Sequence, residues 1–79
     1  MNNIPIIDLE KTGQNIRRLR KRANIRMTDL QKLYGFNTPQ AIYKWEQGKA
    51  LPTIDNLLML ARLFGVTMDE IIVCRGVQI

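Results

Sequence analysis

The sequence predicts an all-α fold, a compact globule of five short helices. Three observations predict it. Apolar residues recur at spacings of three and four in successive segments, the period of a helix that buries one face. Glycine, proline and capping residues cut the chain between those segments. No segment sustains alternation at period two; the nearest approaches are the ends, Ile4 to Leu9 and Val77 to Ile79, each readable as an extended arm or a partner-binding strand. With 79 residues the chain has room for one domain, and its core must be packed efficiently to hold it together.

The first helix is TGQNIRRLRKRA. Thr12 is placed to cap it, and Ile16, Leu19 and Ala23 form its inward stripe, leaving Arg17, Arg18, Arg20, Lys21 and Arg22 on the other faces. The second runs from Met27 to Tyr34 with Leu30 and Leu33 inward, and Gly35 stands where a left-handed cap belongs, with Phe36 packing into the core beside it. The third begins at Thr38-Pro39, read as N-cap and first helical residue, and ends at Gly48. Ala41, Ile42 and Trp45 fall on one side of it; Gln40, Tyr43, Lys44 and Gln47 fall on the other. Thr53 caps the fourth, whose buried stripe is Leu57, Leu60, Ala61 and Phe64 before Gly65. The fifth opens with the capping box Thr67-Met68-Asp69-Glu70 and runs into Ile71, Ile72 and Val73. Residues 1–11 are then an N-terminal arm, 12–73 the folded domain and 74–79 a C-terminal tail; short end segments of this kind are commonly flexible.

Charge narrows the function. The net is +5, with a pI of about 9.9. It is concentrated: residues 11–50 carry ten Lys or Arg against Asp29 and Glu46, a net of +8, while residues 51–79 carry Arg62 and Arg75 against Asp55, Asp69 and Glu70, a net of −1. A basic half beside a near-neutral half suits a polyanion. Enzymes fit poorly, because no nucleophile–base pair, carboxylate pair or phosphate-cradling glycine loop is evident. The chain has no His, and Cys74 is its single cysteine, so a metal site, a cofactor or an internal disulfide finds almost no raw material. No apolar run approaches the roughly 20 residues of a membrane span, and the N-terminus lacks the pattern of a signal peptide; a cytoplasmic location is expected.

Helices two and three are joined by the short glycine-containing turn GFNT, the spacing of a helix-turn-helix, whose second helix enters the DNA major groove. Gln pairs with adenine, Lys with guanine or phosphate, and Tyr with phosphate or a thymine methyl, so Gln40, Tyr43, Lys44 and Gln47 make a chemically sensible reading face. A polar helix face is more often simply solvated, and helix-turn-helix geometry also occurs in proteins that bind no nucleic acid. Thr38 and Pro39 at the helix start, Lys49 just past its end, and Arg17, Arg18 and Lys21 of the first helix are candidate backbone contacts. Trp45 is expected in the core, Glu46 in a pair with a first-helix arginine, and Cys74 as a bystander.

From Thr12 to Val73 the chain resembles the DNA-binding domain of the Cro/C1-type or XRE family, to which phage lambda repressor and Cro belong. NIRRLRKRANI, DLQKLYGF and IYKWEQGKALPTIDNLLMLARLFGVTMDEI carry the resemblance, with Glu46-Gln47-Gly48-Lys49, Pro52, Gly65-Val66-Thr67 and Glu70 at the family's marked positions. Two departures stand out. Arg26 and Met27 occupy positions where the family usually has Thr or Ser followed by a DNA-contacting Gln, so Arg26 takes a phosphate contact and the Gln role is lost. The turn is also one residue longer than the commonest form. The resemblance implies a lambda repressor-like five-helix fold, a bacterial or phage source, and a transcriptional regulator, in the main a repressor, binding near-palindromic double-stranded DNA as a homodimer. It places the dimer interface around Ile71, Ile72 and Val73. Two alternatives are open: an antitoxin that also regulates its own operon, or an interaction module that has lost DNA binding. Either would bring in a protein partner, such as a toxin or an anti-repressor.

Overall fold

A computed structural model describes residues 3–78. Along the chain lie strand β1 (Asn3–Ile7), helices α1 (Leu9–Arg22), α2 (Met27–Tyr34), α3 (Gln40–Glu46), α4 (Ile54–Phe64) and α5 (Met68–Ile71), and strand β2 (Cys74–Gln78). The five helices wrap one core: Ile16 and Leu19 from α1, Leu30 from α2, Ile42 and Trp45 from α3, the Leu57, Leu60, Ala61 and Phe64 stripe from α4, and Ile71 from α5. Each fully buried Leu or Ile contributes roughly 1.5–3 kcal/mol of transfer free energy, which is why these few positions hold a chain this short together. No helix among the described residues is long and apolar enough to cross a membrane.

Several boundaries differ from the expectation, each for a local reason. The N-cap of α1 is Asp8, whose Oδ1 accepts the Lys11 N–H at 2.9 Å. Thr12 lies inside the helix, buried, and its hydroxyl accepts the Val73 N–H at 2.9 Å while donating to the Val73 carbonyl at 3.3 Å. That bond also stops α5, because the Val73 N–H is diverted from the helix ladder. Asn15 completes the stop: its Nδ2 donates to the Glu70 and Ile71 carbonyls, each at 2.8 Å, satisfying the acceptors that a helix end leaves open. Ile72 is therefore extended rather than helical, and Ile71 is fully enclosed by its own core, which removes it from any interface. In α2 the inward direction is set by Met27, Leu30 and Tyr34, so Leu33 turns outward and is 53% exposed.

Segments expected as arm and tail meet. Residues 3–7 and 74–78 form a two-stranded antiparallel ribbon, with Ile7 opposite Cys74 and Pro5 opposite Gly76. Residues 1–2 and residue 79, the outermost parts of that arm and tail, lie outside the described residues.

Candidate nucleic-acid interface

The turn from α2 to α3 spans residues 35–39. Gly35 takes the left-handed cap conformation at φ 69°. Gln31 Nε2 then donates to the carbonyls of Phe36 (3.3 Å) and Asn37 (3.1 Å), holding down backbone that would otherwise be open. α3 starts one residue later than expected. Pro39 is its N-cap, its carbonyl accepting the Tyr43 N–H, and the Thr38 hydroxyl accepts the Gln40 N–H at 3.5 Å. Thr38 and Pro39 thus lie before the helix and form the corner that leads into it.

Three aromatic rings set the tilt of α3. Tyr34 stacks on Phe36 at 5.1 Å, and both present edges to Trp45, at 5.5 and 6.1 Å. Such pairs add to simple area burial and fix ring orientation. The Tyr34 hydroxyl donates to the Asn56 carbonyl at 2.6 Å, tying the end of α2 to α4, and burial pushes its pKa up to about 12.

At its C-terminal end α3 lies directly on α1. A side chain at Gly13 would collide with the Trp45 carbonyl and come within 2.7 Å of the Glu46 carbonyl oxygen, so only glycine permits this crossing. Two turns further along α1, Arg20 forms a bidentate pair with Glu46, at 2.7 and 3.2 Å, and donates its remaining nitrogen to the Ile25 carbonyl at 3.0 Å. Both side chains are largely buried, 11% and 7% exposed. A buried pair of this kind adds little net stability, but it fixes register, because misplacing either partner strands a charge. The pairing of Glu46 with a first-helix arginine follows the sequence expectation; the exposed position assigned to Arg20 does not. Arg20 follows Ile16 by four residues and so lies on the core stripe, a signal its charge masked.

With its inner side held by Ile42, Trp45 and Glu46, α3 turns Gln40, Tyr43, Lys44 and Gln47 to solvent. A cleft of about 400 Å³ runs beside them, lined by Arg17, Arg20, Met27, Tyr43, Glu46 and Gln47. Arg17 is thereby brought to the edge of the α3 face, and Lys21 follows one turn later on the same side of α1, exposed. Arg18 is elsewhere: its guanidinium donates to Asn15 Oδ1 at 2.7 and 3.2 Å, and it lines a separate groove with Lys11, Gln14 and Val73. Arg26 caps the start of α2, with its side chain 81% exposed, and pairs with Asp29 at 3.1 and 3.2 Å. That hydrogen bond, with a further one from the Arg26 backbone N–H, holds the Asp29 carboxyl below its ordinary range. Lys49 is exposed just beyond Gly48, whose φ of 72° turns the chain away from α3 against the backbone of Glu10. Among the described residues no group of three His, Cys, Asp or Glu could hold a metal.

A helix-turn-helix family model matches residues 16–71. Over 61 residues, 76% of this chain, the sequence is 35% identical to the HTH-type transcriptional activator BcrR of Enterococcus faecalis, of whose length it spans 29%. Among solved structures, the restriction-modification controller protein C.AhdI of Aeromonas hydrophila superposes with a TM-score of 0.69 at 28% identity, covering 81% of this chain and 96% of that one. The BldD DNA-binding domain of S. venezulae gives 0.67 at 18% identity, covering 82% and 96%.

Proposed function

This chain belongs to the Cro/C1-type (XRE) helix-turn-helix family, and from that premise we propose that α3 reads double-stranded DNA in the major groove as part of a transcriptional regulator. One observation carries the reading: Gln40, Tyr43, Lys44 and Gln47 are all exposed on a helix whose opposite side is fixed to α1 and to the aromatic cluster. Base reading demands this combination, since donors and acceptors must be free yet held to a fraction of an ångström. Arg17 and Lys21 on one flank and Lys49 on the other are placed to hold phosphates, with the Thr38-Pro39 corner at the helix start. Arg26 contributes less, because Asp29 already shares its charge.

Each good base contact is worth about 1–3 kcal/mol of discrimination, and a face of four side chains falls short of what picks one operator out of a genome. Two copies on a near-palindromic site double the reading surface, so we take the active form as a homodimer. Occupying an operator that overlaps a promoter represses without any contact to polymerase, and repression is the mode we assign. BcrR carries the name of an activator, so the sign of regulation is one of the points to be measured.

The test is selection of random duplex DNA on the purified protein at low and high salt. The expected result is an enriched inverted repeat whose half-sites lie about one helical turn apart, with affinity falling steeply as salt rises. Binding without an enriched sequence would reduce α3 to a phosphate contact, and no binding at either salt would overturn the reading.

A further inference from the structure

Where two copies meet is a separate question, and the ribbon of β1 and β2 bears on it. The Asp8 N–H donates to the Val73 carbonyl at 2.8 Å, and the register continues through Ile7–Cys74, Ile6–Arg75 and Pro5–Gly76. Together these fix the phase of the ladder. Ile6 and Arg75 exchange the inner hydrogen bonds, while the backbone groups of Pro5, Ile7, Cys74 and Gly76 point away from the ribbon. The two outer edges are then unequal. On β1 the central outward position is Pro5, which has no N–H to offer, and a proline there blocks strand addition. On β2 the outward N–H groups of Cys74 and Gly76 are both present.

An open antiparallel edge is complementary to itself about a two-fold axis, which a foreign partner's edge need not be. We propose that the outer edge of β2 pairs with the same edge of a second copy of this chain, making a four-stranded antiparallel sheet with its dyad at Gly76. Full overlap of the five-residue strand on itself puts Gly76 opposite Gly76 and Cys74 opposite Gln78. The pairing rests on the dimeric reading above. It also relieves one liability of the isolated protomer. A lone two-stranded ribbon is marginal in water. The apolar groove of about 620 Å³ between its face and α5, lined by Pro5, Ile7, Asp69, Ile72 and Cys74, is left open to solvent, and pairing would continue that face into the partner. The ribbon springs from the α1 end that abuts Gly48, just past α3.

Sedimentation equilibrium of the full chain, its Gly76→Pro variant and an Ile54→Glu/Leu58→Glu variant tests this. Ile54 and Leu58 form the other prominent exposed apolar pair, one turn apart on α4. Wild type and the α4 variant are expected to associate alike. Gly76→Pro, which removes one outward donor from each copy, should weaken association at least about tenfold. Its helical circular dichroism should be unchanged, since residue 76 lies outside every helix. Amide exchange by NMR on the unmodified protein gives an independent reading: the N–H groups of Cys74 and Gly76 should gain protection as concentration rises. Equal association of Gly76→Pro and wild type, loss of association in the α4 variant instead, or exchange at Gly76 that ignores concentration would each overturn the proposal. Half-site DNA binding by the dissociated Gly76→Pro variant separates the two readings. If it persists, α3 still reads DNA whatever the dimer contact; if a dimer built on β2 binds no DNA, the functional reading fails and the interface stands.

Discussion

The two sides of α3 share one backbone and are built to opposite ends. On the inner side, Ile42 is fully enclosed, Trp45 is 5% exposed and Glu46 is locked to Arg20. On the outer side, Gln40, Tyr43, Lys44 and Gln47 are exposed. On the proposed reading, stability and recognition are carried by different residues here, even at neighbouring positions. Changes on the inner side should act through folding, and changes on the outer side through DNA alone.

The largest expected effect tests the inner side. Trp45→Ala removes the ring that Tyr34 and Phe36 both abut, and should cost about 3–5 kcal/mol, enough to unfold much of a domain this size. Chemical denaturation followed by far-UV circular dichroism measures it. A loss under about 1 kcal/mol would mean that the aromatic cluster does not hold α3, and the contrast between its sides would collapse.

That inner side was largely legible beforehand. The spacing of Ile42 and Trp45, the stripe on α4, and the cap residues Gly35, Thr53 and Gly65 follow from helix periodicity and terminus chemistry, and the structure has them where those rules place them. Three features were not legible, for physical reasons. Gly13 sits inside α1 because another backbone crosses it, and a close crossing leaves no local trace in sequence. Thr12 reads as an N-cap by type, yet its hydroxyl serves a partner 61 residues away. The ends were readable as extended segments, but their pairing into a ribbon was not, because β1 and β2 are short, far apart in sequence and interrupted by Pro5 and Gly76. On the outer face, sequence gave the polar side of α3 and the geometry added Arg17 to its edge, while Arg18 was drawn to Asn15 on another face.

A smaller effect sharpens the outer side. Lys44→Ala should leave the unfolding midpoint within experimental error, because an exposed side chain is being shortened. Affinity for the selected operator should fall by about 1–3 kcal/mol if Lys44 reads a base, with specificity relaxed at one position. A uniform loss across sequences, with a shallower salt dependence, would make it a phosphate contact instead. Unchanged operator affinity in the folded variant would remove Lys44 from the interface.

The smallest effect probes the joint between the two sides, where Tyr34 backs the turn that delivers α3. Its hydroxyl is held by the Asn56 carbonyl, and its pKa stands at about 12 against an ordinary 10.0. The folded state therefore keeps a proton that the unfolded chain releases first. Stability from this group is complete below about pH 10 and drains away as pH rises through about 12. Tyr34→Phe removes the titration together with one hydrogen bond, so at pH 7 the variant should be less stable by about 0.5–1.5 kcal/mol. Above pH 10 the gap should narrow, because wild type pays to keep a neutral phenol and the variant has none. Denaturation curves of both proteins at pH 7, 10 and 11.5 decide it. A gap that stays constant across that range would place the Tyr34 hydroxyl in water and leave the turn held by ring packing alone, with α3 resting on Phe36 and Trp45.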